Sequence, residues 1–359
     1  MSRNIENSNR ILFENIRLAY HCSKEYRMDD DVDFIRFVYG NEEEKKWLKS
    51  FKIHKEHFLN YGHSGSFYIG EYNSERYVFS VGIGEFQNTP EGLVATDLNA
   101  GCFLAICSDL QLMVREDYPV LKIANLILSQ HNEIEGYIGH KLDDLRPLFP
   151  SITILRIDST IFSGDPTNVE LIASLLMSMN KEYIKLPFSN DTLERMQHLC
   201  YRNFQLFRYE NLFQALTASA FRFTFLDLYR SIEMLYQVCY ISELEKTLNI
   251  SADTLLSAID SSLKWKPNER NTLCKIINEI SPANRPIFTH KLPKIIKNIS
   301  GDSISAPDQL WGWIYDLRCN IVHLKVHHSK ISISEKNWNE IFQGLIEIII
   351  SAYDKYDNH

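Results

Sequence analysis

The chain has 359 residues, 45% of them hydrophobic and 23% charged, with 14 glycines and 11 prolines. That balance excludes a disordered, collagen-like or low-complexity chain, and the length is large for one core, so two domains are expected. The formal net charge of −8 is unevenly spread: residues 1–190 hold 19 Lys and Arg against 27 Asp and Glu, whereas residues 191–359 hold 19 of each.

The opening stretch, MSRNIENSNRILFENIRLAY, has no apolar run like a signal peptide. The acidic strings Asp29 to Asp33 (DDDVD) and Glu42 to Glu44 (EEE) lack the glycine and ligand spacing of a calcium loop, so solvated surface or a helix N-terminus is expected there. GSFYIGEY and RYVFSVGIGEF are rich in aromatic and β-branched residues and predict two strands, turned into a hairpin at Asn73–Ser74. Gly82–Ile83–Gly84 has neither a third glycine nor a Walker lysine and is not read as a phosphate loop. GCFLAIC and SITILRI predict further strands, and KIANLILSQ and NVELIASLLMSMN carry helical spacing. Residues 1–190 therefore read as a mixed α and β domain.

The character changes near residue 190. Pro187 is followed by Ser189, Asn190 and Asp191 as candidate helix caps. One long helical pattern runs from Glu210 to about Ile241. A short helix is expected after Ser251, another from Pro267, and a third from Ser305–Ala306–Pro307–Asp308 through Leu317. Ser332 to Glu335 fits a capping box before the final helix. That helix contains IFQGLIEIIISAY, which Glu347 interrupts, so it reads as a buried helix rather than a membrane span. Five or so helices joined by short connections predict a bundle over 191–359. No membrane partner is expected, and the location expected is cytoplasmic.

The seven cysteines form no CxxC pair and give neither a disulfide framework nor a zinc knuckle, so most are expected as reduced core residues. Residues 264–297 hold eight basic residues against Glu269 and Glu279. Such a local excess attracts phosphates despite an acidic whole, and Lys264, Lys266, Arg270, Lys291, Lys294 and Lys297, with Lys325 beyond them, are the candidate RNA contacts. A solvated helix face is the plainer alternative.

The segment QLWGWIYDLRCNIVHLK contains Tyr315, Asp316, Leu317, Arg318 and the ending Ile321–Val322–His323. About ninety residues upstream, FLDLYRSIEMLYQV spans Phe225 to Val238 and reads Tyr, two residues, Ile–Glu, then an apolar pair. The Arg, four residues, His pair with these flanks resembles the signature of HEPN domains, and the upstream segment is similar to the long early helix of that family. The resemblance covers roughly residues 195–359. It implies a two-domain α+β chain: a sensor or regulatory module over 1–190, then an all-α HEPN-like bundle over 191–359. That arrangement is similar to ApeA-like bacterial anti-phage proteins. The family usually has a polar residue directly after the Arg; here Cys319 stands there and Asn320 follows.

What the resemblance implies is a metal-independent endoribonuclease with Arg318, His323, Asn320 and Asp316 as its site, no cofactor, RNA as substrate, and a homodimer or higher oligomer with a shared cleft. A role in phage defence or as a toxin, with a phage-derived trigger, belongs to the same expectation. The chemistry suits the residue types. Histidine titrates near neutrality and serves as base or acid, and arginine keeps its charge and forks onto phosphate oxygens. On an ideal helix, residues five apart diverge by about 140°, so the backbone must deviate between Arg318 and His323 or the site must be shared. Asp316 and Asn320, four apart, share a face and are placed to support each other. The alternatives are a non-catalytic HEPN module for RNA binding or dimerisation, and a metal enzyme centred on the acidic first half. The plainer reading of the pair has Arg318 bonded to Asp316 or Glu233 and His323 near a helix C-terminus. His323 and His327 have a chelating spacing, but no HExxH glutamate lies between them, so no metal is assigned. Trp311, Trp313, Tyr229 and Tyr236 are expected in the core rather than stacked on bases.

Overall fold

The computed structural model describes residues 3–21, 36–61, 65–123, 136–162, 168–258, 268–280, 284, 286–301, 304, 307–323 and 332–357. It is mixed α and β and separates into two compact units, Met1–Val169 and Glu170–His359, a division upstream of the break expected at 190.

The first unit contains β1 (Lys52–Tyr61), β2 (Gly65–Tyr72), β3 (Glu75–Val81), β4 (Leu93–Thr96) and β5 (Ile152–Ile157). They form one antiparallel sheet in the order β1-β2-β3-β5-β4. The hairpin forms where the sequence placed it. Asn73 and Ser74 both take positive φ, 49° and 64°, the left-handed pair that matches strand twist in a two-residue turn.

Helices α1 (Ile5–His21), α2 (Glu42–Ser50) and α3 (Ala100–Asp109) build the core with the sheet. It joins Leu12 and Ile16, Trp47 and Leu48, and Phe103 and Ile106 to Tyr77, Phe79, Ile152 and Ile154. The EEE string is the first turn of α2, where Asn41 and Glu44 form a capping box. The DDDVD string lies outside the described residues. GCFLAIC, expected as a strand, is α3 instead. A continuous apolar run has no period to separate the two choices. What decides is Asn99, whose side chain accepts from Cys102 N at 2.8 Å, and Gly101, where a Cβ would sit 1.7 Å from the Glu44 carbonyl oxygen of α2. SITILRI forms β5 as expected. Helix α4 (Val120–Ile123) covers the start of KIANLILSQ, whose remainder lies outside the described residues, and α5 (Leu142–Leu145) follows.

His140 is 1% exposed, between Phe13 and Tyr137, with neither ring nitrogen hydrogen-bonded. Its backbone holds Phe37 and Tyr39 through two 2.8 Å bonds.

Helix α6 (Val169–Met179) begins at the divide. The second unit continues through α7 (Lys181–Ile184), α8 (Asn190–Arg202), α9 (Tyr209–Thr217), α10 (Phe221–Glu233), α11 (Leu235–Leu248), α12 (Ala252–Ala258), α13 (Glu269–Asn278), α14 (Leu292–Ser300), α15 (Pro307–Val322) and α16 (Glu335–Tyr356). A single π-helical turn, Ile287–Lys291, leads into α14. These helices are more and shorter than the five expected. The single pattern over 210–241 is broken into α9, α10 and α11. Ala218 and Ala220 are extended between α9 and α10, and the Thr224 hydroxyl donates to the Ala215 carbonyl at 3.0 Å, satisfying an acceptor the helix end leaves open. At Met234 the backbone stays right-handed and α11 follows directly, so α10 and α11 form one bent path. Ser189 caps α8 as expected. The final helix is capped by Ser334, which accepts from Asn337 N at 3.3 Å, rather than by Ser332.

Helix α16 is the centre of this unit. It is buried on most faces and touches α8, α10, α11, α13 and α14. Glu347, 6% exposed, accepts from Ile287 N at 2.9 Å and Phe288 N at 3.2 Å and lies 3.2 Å from Arg195. Burial still holds its carboxyl above the ordinary range. Cys102, Cys107, Cys200 and Cys239 are buried and free, whereas Cys274 and Cys319 are half-buried. Among the described residues, no helix is long and apolar enough to cross a membrane.

Burial depresses His140 from its ordinary 6.5 to about 4. The unfolded chain therefore takes up a proton that the folded one refuses. The contribution of His140 to folding stability is complete above pH 6.5 and is lost as pH drops from 6.5 towards about 4. In chemical denaturation at successive pH values, His140→Phe should escape a loss of roughly 2–3 kcal/mol that wild type suffers by pH 4. Parallel curves for the two proteins would contradict the burial of a neutral imidazole.

Candidate functional site

Arg318 stands in the C-terminal half of α15, a helix carried by α10 and α13. Its side chain is 19% exposed. A guanidinium at that depth needs an anionic partner, because removing a charge from water costs several kcal/mol. Glu233, the last residue of α10, supplies it. Arg318 Nε and Nη2 both donate to Glu233 Oε1, at 3.2 and 3.0 Å. Arg318 Nη1 faces the first residue of α13, 3.8 Å from Glu269 Oε2.

The electrostatics follow from this arrangement. Burial pulls the Arg318 guanidinium down, but the carboxylates of Glu233 and Glu269 outweigh it and hold it above its ordinary value. Burial pushes the Glu233 carboxyl up despite Arg318 beside it. Behind the pair, the hydroxyls of Tyr229 and Tyr236 meet at 3.0 Å, and burial raises both. Tyr315 is raised by a hydrogen bond to Cys319 and, next, by burial. Cys319 stands one turn beyond Tyr315 on α15 and is half-buried.

His323 is the first residue past α15, exposed, with its backbone N–H on the Cys319 carbonyl at 2.8 Å. Among the described residues its imidazole has no hydrogen-bond partner. The helix is regular through Val322. The helix therefore does not deviate from Arg318 through Val322, and His323 follows at a bend. Ideal geometry separates them by about 140° in direction and about 7.5 Å along the axis.

Of the other expected site residues, Asp316 is exposed and is not the partner of Arg318. Asn320 is half-buried, and among the described residues no hydrogen bond joins it to Asp316. Arg270 is exposed beside α15, where a Cβ on Gly312 would lie 2.6 Å from its Nη2. The start of α13 thus lies across α15 between Gly312 and Arg318, bringing Glu269 and Arg270 together there. Lys291, Lys294 and Lys297 are exposed opposite the buried Leu292, Ile295 and Ile296. Lys264, Lys266 and Lys325 lie outside the described residues, as do His327 and His328. Lys275 is neutralised by Glu243 at 2.9 Å and Glu279 at 3.0 Å, which reduces the basic excess counted in the sequence. Trp311, stacked on Phe288 at 3.8 Å, is core, as are Tyr229 and Tyr236; Trp313 is half-buried. Among the described residues, no group of three or more His, Cys, Asp or Glu side chains is placed to hold a metal ion.

Two residues complete the site. Glu233 is the glutamate of the Tyr229, two residues, Ile232–Glu233 run, and that run is the signal for it. Nothing in the sequence around Glu269 marks it as a neighbour of Arg318.

The first unit holds a separate cavity of about 690 Å³. Ile5, Val38, Leu48, Gly101 and Leu104 line it, with Glu44 among its polar groups. That is the size range of small-molecule sites.

No protein-family model, curated protein or solved structure matches the chain.

Removing Glu233 would leave the Arg318 charge partly buried and short of its main partner. Glu233→Ala should lower folding stability by about 1–2 kcal/mol in denaturant titration, and Arg318→Ala should abolish most of that difference in a double-mutant cycle. Additive losses would show that the two side chains are not coupled.

Proposed function

We propose that the chain is a metal-independent endoribonuclease of the HEPN type that works as a homodimer, in bacterial anti-phage defence or as a toxin. In this reaction the ribose 2′-oxygen loses its proton and bonds to the adjacent phosphorus. The bond from phosphorus to the 5′-oxygen breaks, and that oxygen takes a proton. The products are a 2′,3′-cyclic phosphate and a 5′-hydroxyl. His323 does the proton transfers, which its exposure at the end of α15 allows. Arg318 stabilises the charge that develops on the phosphorane oxygens. DNA lacks the 2′-hydroxyl and does not react this way.

The observation that carries this reading is Arg318 held on α15 by Glu233, with His323 exposed one residue past the end of that helix. Glu233 holds the Nε and Nη2 edge of the guanidinium, and a phosphate oxygen would take Nη1, which Glu269 faces at 3.8 Å without a hydrogen bond. Residues five apart on an ideal helix diverge by about 140°, so this reading does not aim both side chains of one chain at a single phosphate. A second copy would supply the missing partner in a shared cleft. Glu233 takes the orienting role that the sequence had given to Asp316 and Asn320. The first unit would act as the sensor, with its cavity the place for a trigger.

A second reading, a non-catalytic module for RNA binding or dimerisation, is favoured by the carboxylates on Arg318 and by Cys319 standing where HEPN domains usually carry a polar residue. Induced expression separates the two. Wild type should arrest growth and produce new 2′,3′-cyclic-phosphate RNA ends, and Arg318→Ala/His323→Ala should do neither. Equal behaviour of the two folded proteins in the presence of phage would favour the binding module.

A further inference from the structure

Arg318 presents two different edges. The inner edge, Nε and Nη2, is spent on Glu233, whose side chain is 27% exposed. The outer nitrogen, Nη1, faces Glu269 at 3.8 Å, and the Glu269 side chain is 44% exposed. At that separation Glu269 is an ion-pair neighbour rather than a hydrogen-bonded one. It also sits at the first position of α13, after the Asn268 cap, so the helix N-terminus favours its negative charge independently of Arg318.

The two carboxylates therefore differ in how they can respond to an anion. A phosphate oxygen reaching Nη1 has no need to disturb Glu233, but it must share the space with the charge of Glu269 or push it aside. The exposed Glu269 side chain can turn into water while its helix keeps its place.

We propose that Glu269 is a displaceable competitor of phosphate at the outer edge of Arg318, so that the resting chain binds RNA more weakly than its arginine allows. The proposal rests on reading Arg318 as a phosphate contact. It makes the acidic start of α13 a built-in brake on the site, released when RNA, or a movement of α13, draws Glu269 away. The neighbouring Arg270 would remain beside α15 and add to the attraction once the brake is off.

The test is binding of a 2′-O-methyl RNA oligonucleotide, which cannot be cut, to the full-length protein at one fixed salt concentration. Wild type is compared with Glu269→Gln, Arg318→Ala, the double variant, and Glu210→Gln as a control for net charge. A carboxylate of this exposure beside a guanidinium is worth about 1 kcal/mol, so Glu269→Gln should bind about five-fold tighter. Glu210→Gln, on the exposed face of α9, should change affinity less than two-fold. The gain of Glu269→Gln should vanish when Arg318 is already alanine. If Arg318→Ala weakens binding while Glu269→Gln matches wild type, the competitor is refuted and the phosphate contact stands. If Arg318→Ala has no effect in either background, the phosphate contact itself fails and the competitor falls with it.

Discussion

A helix buried on almost every side has to be surrounded and its polar groups partnered, and α16 imposes that condition on the second unit. Phe342, Leu345, Ile346, Ile348, Ile349, Ala352 and Tyr353 are all 1% exposed or less and form one apolar face about 160° wide, while Gln343, Glu347 and Ser351 are buried on the opposite side. Five other helices close around it. Two polar groups fix the register of that packing. Glu347 takes the free N–H groups of Ile287 and Phe288, and the Tyr353 hydroxyl donates to the Ser231 carbonyl of α10 at 2.8 Å. A buried carboxylate or hydroxyl without such partners would cost more than the surrounding contacts return.

Helix α15 sits one layer out. It packs on α10 and α13, both of which pack on α16. Arg318 is therefore placed where three helices meet, too deep to be left to water and too shallow to lose its charge. Glu233 neutralises it from the end of α10 and Glu269 approaches from the start of α13. The same half-burial that demands a carboxylate also fixes the guanidinium, and a fixed guanidinium is what a phosphate contact requires. The regularity of α15 has a further consequence. Residues five apart on an ideal helix diverge by about 140°, and a site that needs both Arg318 and His323 is proposed to need two chains.

Local chemistry was legible in the sequence where a residue acts on its own neighbours. Asn73–Ser74 turned the hairpin, the EEE string opened a capped helix, and Ser189 capped α8. The Arg318–Glu233 pair was one of two pairings open to the sequence. Asp316 lost because residues two apart on a helix point away from each other. What the sequence hid depended on contacts from elsewhere. GCFLAIC has no period, and it is the close approach of α2 at Gly101 that makes it a helix. The break at Ala218–Ala220 carries no proline or glycine and is held by a threonine nine residues beyond the carbonyl it satisfies. Glu269 reached Arg318 only through the docking of α13 on α15, which no local spacing announces.

Arg318 and His323 are proposed to act together from two copies of the chain. Mixing two inactive variants tests it most directly. Arg318→Ala and His323→Ala would be purified separately, unfolded, refolded together and assayed on RNA. A mixed dimer retains one arginine and one histidine, on different chains. If the site is shared, each variant alone should be inactive and the mixture should recover about a quarter of wild-type activity, because half the dimers are mixed and each carries one of two complete sites. A mixture as inactive as its components, beside an active wild type refolded in the same way, would contradict the shared site.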